Sequence, residues 1–120
     1  DSLLWTGDYI NGRGGDDTIQ LRFGEKLDGN TLATQLDNIE VISMVGNGAN
    51  SITSLSVEDV LNMTDERNIL KILGDAEDKV TLGAGWTAGA KTDGLVTYTS
   101  GDATLKIHED MVNANNVIID

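Results

Sequence analysis

The chain contains no cysteine and no proline. Without thiols, a disulfide framework and thiolate-held zinc or iron–sulfur chemistry are excluded. Without proline, the turning falls to the fourteen glycines and to Asn and Asp clusters. Aromatic residues make up 4% of the chain, a thin supply for a carbohydrate platform that relies on ring stacking. Cations are scarce too: eight Lys plus Arg stand against twenty Asp plus Glu, for a formal net charge of −12. The excess runs through both halves of the chain, which argues against nucleic acid as a partner. Repulsion among so many carboxylates destabilises a compact state, so a domain of this kind gains from bound cations. Apolar runs extend only a few residues, too short for a membrane span. No basic segment followed by an apolar one opens the chain, so a targeting signal is expected elsewhere in a longer parent protein. The 120 residues read as one excised domain with a single core, since a second core has no room.

What is present is a series of short stretches rich in Ile, Val, Thr and Leu, broken by Gly, Asn and Asp. That is the pattern of a mostly β domain, sandwich-like or roll-like. The expected strands are Leu3–Thr6, Thr18–Phe23, Asn38–Val45, Asn68–Leu73, Lys79–Leu82, Leu95–Thr99, Ala103–His108 and Asn116–Ile119. The run NIEVISMV at Asn38–Val45 is apolar on both faces and predicts a central strand. One short helix is expected near 56–63: in LSVEDVLNM, Ser56 is placed to N-cap, Asp59 to close a capping box, and Leu55 and Val60 to form a hydrophobic staple. A second helical turn is suggested at Thr31–Leu36, after the turn residues Asp28, Gly29 and Asn30. No repeat of fixed period covers the chain, which disfavours a regular solenoid or propeller.

The most informative segment is NGRGGDDTI, Asn11–Ile19. Against the calcium-binding nonapeptide G-G-x-G-x-D-x-U it supplies Gly12, Gly15, Asp17 and Ile19 in register, with Arg13 where the second glycine belongs. Glycines permit a tight turn that exposes carbonyl oxygens, the acid adds a carboxylate, and hard Ca²⁺ takes six to eight such oxygens. One copy supplies half a cage. The expected second half is GDAEDKVTL, where Gly74 and the acids Asp75, Glu77 and Asp78 again precede a strand, so that two acidic turns meet at one end of a sheet. The candidate metal ligands are therefore Asp8, Gly12, Gly14, Asp16, Asp17, Asp75 and Asp78, with Asn38 or Glu40 placed to close the shell. The plain reading of the same residues is a set of β-turns with solvated acids.

In order along the chain, DSLLWTGD, GRGGDDTIQL, LDNIEVISM, the turn GNGAN into LSVEDVLNM, NILKILGDAEDKVTL, GWT and VTYTSGDATLKI together resemble a non-repeat domain of the giant RTX (repeats-in-toxin) adhesins of Gram-negative bacteria, a scaffold near their ligand-binding regions. The resemblance covers roughly Asp1–Asp110. It implies a secreted, extracellular, calcium-dependent module at the bacterial surface, serving cell adhesion and biofilm formation. Its implied partners are the neighbouring domains of the same adhesin and, through the parent protein, glycans or peptides. A monomer is expected, with no membrane insertion.

Enzyme readings have little to stand on. GAGWTA at Gly83–Ala88 formally fits a dinucleotide-binding glycine string, but the loop-like GAKTDG follows where a helix must open. His108 is the only histidine, and no nucleophile elbow accompanies it. Glu58 and Asp59 fall in the first turn of the expected helix, where its dipole favours negative charge. Glu109 and Asp110 read as a solvated strand end. Two functions remain: a calcium-stiffened structural module, which is favoured, or a domain that itself binds a ligand through loops around Trp86 and Asn47–Asn50.

Overall fold

The computed structural model describes residues 2–4, 9–12, 17–21, 24–46, 48–64 and 67–119. Its strands are β1 (Ser2–Leu4), β2 (Ile10–Asn11), β3 (Thr18–Gln20), β4 (Lys26–Asp28), β5 (Leu36–Asp37), β6 (Val41–Ser43) and β7 (Ser51–Leu55), then β8 (Ile69–Leu73), β9 (Lys79–Leu82), β10 (Thr87–Thr92), β11 (Leu95–Ser100), β12 (Ala103–His108) and β13 (Val117–Ile119). Three short helices join them: α1 (Gly29–Gln35), α2 (Val57–Met63) and α3 (Glu109–Asn113).

The chain winds as a coil. Strands β3, β6, β8 and β12 pair in parallel within a seven-stranded sheet of order β1-β3-β6-β8-β12-β11-β10. After each of them the chain crosses to a four-stranded sheet of order β13-β9-β7-β4, also parallel. These turns thus place strands in both sheets; α1 and α2 carry the chain back from β4 and β7, and the β10–β11 hairpin from β9. The mostly β class with a short helix near 56–63 expected from the sequence is what forms. The missing fixed period reflects turns of unequal length: register aligns Ile19 with Ile42, Ile42 with Ile72 and Ile72 with Ile107, at uneven spacing along the chain. An irregular coil therefore hides from a search for a regular one.

That register is the source of the core. Ile19, Ile42, Ile72 and Ile107 are all fully buried and stack as one aliphatic row across parallel strands. Ile52 aligns with Val80 in the other sheet, and both are buried. These rows share one cluster with Leu32 of α1, Val60 and Met63 of α2, and Met111 of α3. A one-residue slip would turn each row to the solvent side, so burial fixes register.

The helix at 56–63 forms as expected. Ser56 caps α2, its side chain accepting from the Asp59 amide at 3.2 Å while the Asp59 carboxylate accepts from the Ser56 amide at 3.0 Å. Helix α1 begins earlier than the Thr31 expected for it, because Asp28 acts as N-cap, accepting from the Asn30 amide at 2.8 Å. Gly29 is then helical and buried, packed so closely that a Cβ there would lie 2.8 Å from Leu55 Cα. Two expectations are corrected. Glu109 and Asp110 open helix α3 rather than ending a strand, and the supposed loop at 89–94 is part of the β10–β11 hairpin, turning at Asp93 and Gly94, both with positive φ. The central strand is shorter than Asn38–Val45 but does sit inside the seven-stranded sheet, between β3 and β8.

Asparagine does the turning at the start of the seven-stranded sheet. Asn38 and Asn68 both adopt left-handed backbone, φ 56° and 59°, and the pairing of Val41 with Lys71 puts them at the same height on successive turns. Asn tolerates this region better than residues other than glycine, which lets each turn swing from its helix into the next strand.

Candidate functional site

Asp17 follows the glycine-rich sequence and leads into β3. The pairing of Thr18 with Val41 places it beside Glu40, which leads into β6. Both carboxylate residues are buried, at 5% and 7% exposure. The Asp17 amide donates to Glu40 Oε1 at 2.7 Å, and the Asp17 carbonyl accepts from the amides of Glu40 at 3.2 Å and Val41 at 3.1 Å.

Gly12 is pinned by its amide, which donates to the Asp37 carbonyl at 2.9 Å. A Cβ on Gly12 would lie 2.6 Å from the Asn38 carbonyl oxygen and 2.7 Å from Asp17 Oδ2. Two oxygens from separate segments thus converge over the glycine, and only a residue without a side chain admits them. Asn38 Nδ2 donates to Asn11 Oδ1 at 3.0 Å and ties the same corner together. The local donors are hard oxygens: the Asp17 and Glu40 carboxylates and the Asn38 carbonyl, a set suited to Ca²⁺ rather than to softer metals. Asp8, Gly14 and Asp16 lie outside the described residues.

The second acidic turn is elsewhere. Asp17 leads into the seven-stranded sheet, whereas Asp75 and Asp78 lead into β9 of the four-stranded one. Two Gly-Asp turns that each precede a strand look alike in sequence, yet in a two-sheet coil they occupy different corners. The expected meeting of the Asp17 and Asp75 turns at one sheet end does not occur.

Asp78 has a structural task at its own corner. It is fully buried, and its carboxylate accepts the Asp75 amide at 2.7 Å and the Asn50 amide at 2.9 Å. The pairing of Lys26 with Ser51 and of Ser51 with Lys79 stacks Glu25, Asn50 and Asp78 on successive turns. Asn50 continues the ladder, with Oδ1 accepting from the Glu25 amide at 2.6 Å. Asp75 reaches back one turn, its Oδ2 accepting from the Gly46 amide at 2.8 Å. Burial pushes the Asp78 carboxyl above its ordinary range, while the two amide hydrogen bonds pull the other way. Among the described residues no three His, Cys, Asp or Glu side chains cluster for a metal.

Trp86 is 5% exposed and donates its indole N–H to the Leu55 carbonyl at 3.2 Å, so its ring is a core anchor. His108 lies at the end of β12 with Nδ1 2.6 Å from the Gly74 carbonyl oxygen, tying two turns together. Sequence reasoning named Asp78 as a ligand and missed the ladder role it shares with Asn50. The signal available was the repeated polar residue just before each strand of the four-stranded sheet, legible only once register aligns those strands. Comparison of the chain with family models, curated proteins and solved structures found no match. No helix among the described residues is long and apolar enough to cross a membrane.

Proposed function

We propose that this chain is an extracellular calcium-binding structural module, stiffened by an ion beside Gly12, Asp17 and Glu40, that positions neighbouring domains of a bacterial RTX-type adhesin. The observation that carries the reading is the pair Asp17 and Glu40: two buried acidic residues at equal height just before the parallel strands β3 and β6, with the Asn38 carbonyl oxygen and Asp17 Oδ2 crowded over Gly12. Hard oxygens gathered at one buried corner suit a divalent cation, which takes six to eight such ligands. The −12 net charge favours cation uptake further. The likeness of the sequence to adhesin domains supplies the setting, outside the cell, where calcium is plentiful. The Asp75–Asp78 turn contributes to the same end by a different route, holding successive turns of the coil through the hydrogen bonds described above.

Thermal unfolding in excess chelator and in millimolar calcium tests the proposal. An ion present at 100 times its dissociation constant stabilises a fold by about 2.7 kcal/mol, which in a domain of this size raises the midpoint by about 10 °C. The variant Glu40→Gln should lose most of that rise, while Asp75→Asn should keep it. Equal midpoints with and without calcium, or a rise undiminished in Glu40→Gln, would sink the calcium site.

A further inference from the structure

The four-stranded sheet ends in β13, which among the described residues pairs only with β9. On the same side the seven-stranded sheet runs on past β12 with β11 and β10. The apolar rows of the smaller sheet run out at this edge. Leu55 aligns with Leu82, and Leu82 with Ile119; the first two are fully buried, whereas Ile119 is 40% exposed. Val117 aligns with the buried Val80 and packs on the core, and Ile118, on the opposite face, is 39% exposed. The Val80 amide donates to the Asn116 carbonyl at 2.9 Å. Parallel pairing alternates from there, so Ile118 turns its N–H and C=O toward β9, while Val117 and Ile119 turn theirs away. Edge strands are commonly blunted by charge or by a bulge. Strand β4 carries the exposed Lys26 and Asp28, and β10 carries the exposed Lys91 and a register shift. Strand β13 consists of Val and Ile alone.

We infer that the β13 edge captures an extended peptide segment with aliphatic side chains at alternate positions and Lys or Arg at its flanks, which joins the four-stranded sheet as a further strand. The outward N–H and C=O groups of Val117 and Ile119 supply the main-chain hydrogen bonds, and the aliphatic side chains laid beside these two residues continue the core rows. Charge decides the flanks. Asn116, at the start of β13, donates through Nδ2 to the Ala76 carbonyl at 2.5 Å and through its amide to the Met111 carbonyl at 3.0 Å. The exposed acids Glu77 and Asp110 are the chain neighbours of those two acceptors. Asp120 follows the strand in sequence, and the exposed Lys79, level with Asn116, offsets one of the three. At a net charge of −12 per chain, a second copy would bring the same acids to the same edge. That disfavours self-pairing and favours a basic segment.

The test titrates the full chain, at physiological ionic strength, with the synthetic peptide KKVTVTIKK, its acidic counterpart EEVTVTIEE and the apolar-free KKSTSTSKK, followed by amide chemical shifts. KKVTVTIKK should give saturable shifts centred on Val117, Ile118 and Ile119, and each control should bind about tenfold more weakly or worse. Ile119→Pro removes an outward N–H and leaves the bonds to β9 intact, a change that an edge strand tolerates. It should weaken binding of KKVTVTIKK about tenfold while resonances away from the edge stay in place. Ile119→Lys gives a second reading of the same loss, since it sets a cation against the basic peptide. The inference is overturned if KKVTVTIKK does not saturate, if either control binds as tightly, or if the Ile119 variants bind it as well as the parent does. It is overturned too if sedimentation shows the chain pairing with itself through an edge that Ile119→Pro blocks, since the occupant is then a second copy.

Discussion

Asp78 offers the sharpest test of how the turns of the coil are held. Its side chain is fully buried and satisfies two backbone amides on different turns, Asp75 at 2.7 Å and Asn50 at 2.9 Å. Asp78→Ala leaves the buried Asn50 amide without an acceptor, at about 1–3 kcal/mol, and the half-buried Asp75 amide likewise, at a smaller cost of about 1–2 kcal/mol. A total loss of about 2–5 kcal/mol is a large share of the 5–15 kcal/mol typical of a domain. The melting midpoint should fall by about 8–20 °C. Asp78→Asn retains one acceptor oxygen but turns an NH₂ toward the other amide, so its loss should be about half as large. Equilibrium urea unfolding of the three proteins, with m-values checked for constancy, measures this directly. The pH dependence has a definite sign. Burial raises the Asp78 carboxyl above the ordinary value of 3.8, so ionisation opposes folding. The share of stability that depends on this proton is fully present below 3.8 and is lost as pH rises through the raised value. Asp78→Asn has no such proton, so the stability difference, parent minus variant, should decline with rising pH across that window. Taking the difference removes the background repulsion of the other acids. An Asp78→Ala cost under about 1 kcal/mol would refute the ladder, and a difference that grows with pH would refute the dominance of burial over the amide hydrogen bonds.

Three further outcomes are expected. Gly12→Ala should cost about 1–3 kcal/mol, because its Cβ would meet the Asn38 carbonyl oxygen at 2.6 Å and a backbone atom cannot swing aside; calorimetry should also show a weaker calcium response. Ile42, fully buried in the middle of the aliphatic row, should lose about 0.5–1.5 kcal/mol as Val and about 2–5 kcal/mol as Ala in denaturant unfolding. Asn68, at φ 59°, should tolerate Gly with little change and lose about 1 kcal/mol as Ala, a contrast that chemical denaturation resolves and that a purely side-chain role for Asn68 would not produce.

Much of the local structure was legible because it depends on neighbours in sequence. The capping box of Ser56 and Asp59 is three residues across, and the helix it starts formed where expected. The strands at 79–82 and 103–108 coincide with their apolar runs. Where expectation and structure part, the deciding contact is distant. Helix α3 follows directly on β12 without a side-chain cap; Met111, fully buried in the core cluster, anchors it, and no local signal announces that. Strand β10 is exposed throughout and exists because β11 offers it a hairpin partner, which no hydrophobic pattern records. In the candidate site, Asp17 was visible from its glycine loop and Glu40 from its place on the central strand. Their adjacency follows from the parallel pairing of β3 with β6.

By itself, then, the sequence determined the β-rich class, the capped helix, the acidic balance and the oxygen-rich loop, since composition and short-range spacing carry all four. Only the tertiary winding decided which acids meet. Parallel strands bring together residues at equal height on successive turns, so Asp17 joins Glu40, Asn50 joins Asp78 and Lys71 joins Lys106. Two look-alike turns, at Asp17 and Asp75, stay apart because the chain delivers them to different sheets. Unequal turn lengths break the period that would have announced this pairing, and register, set by burial of the isoleucine row, replaces it.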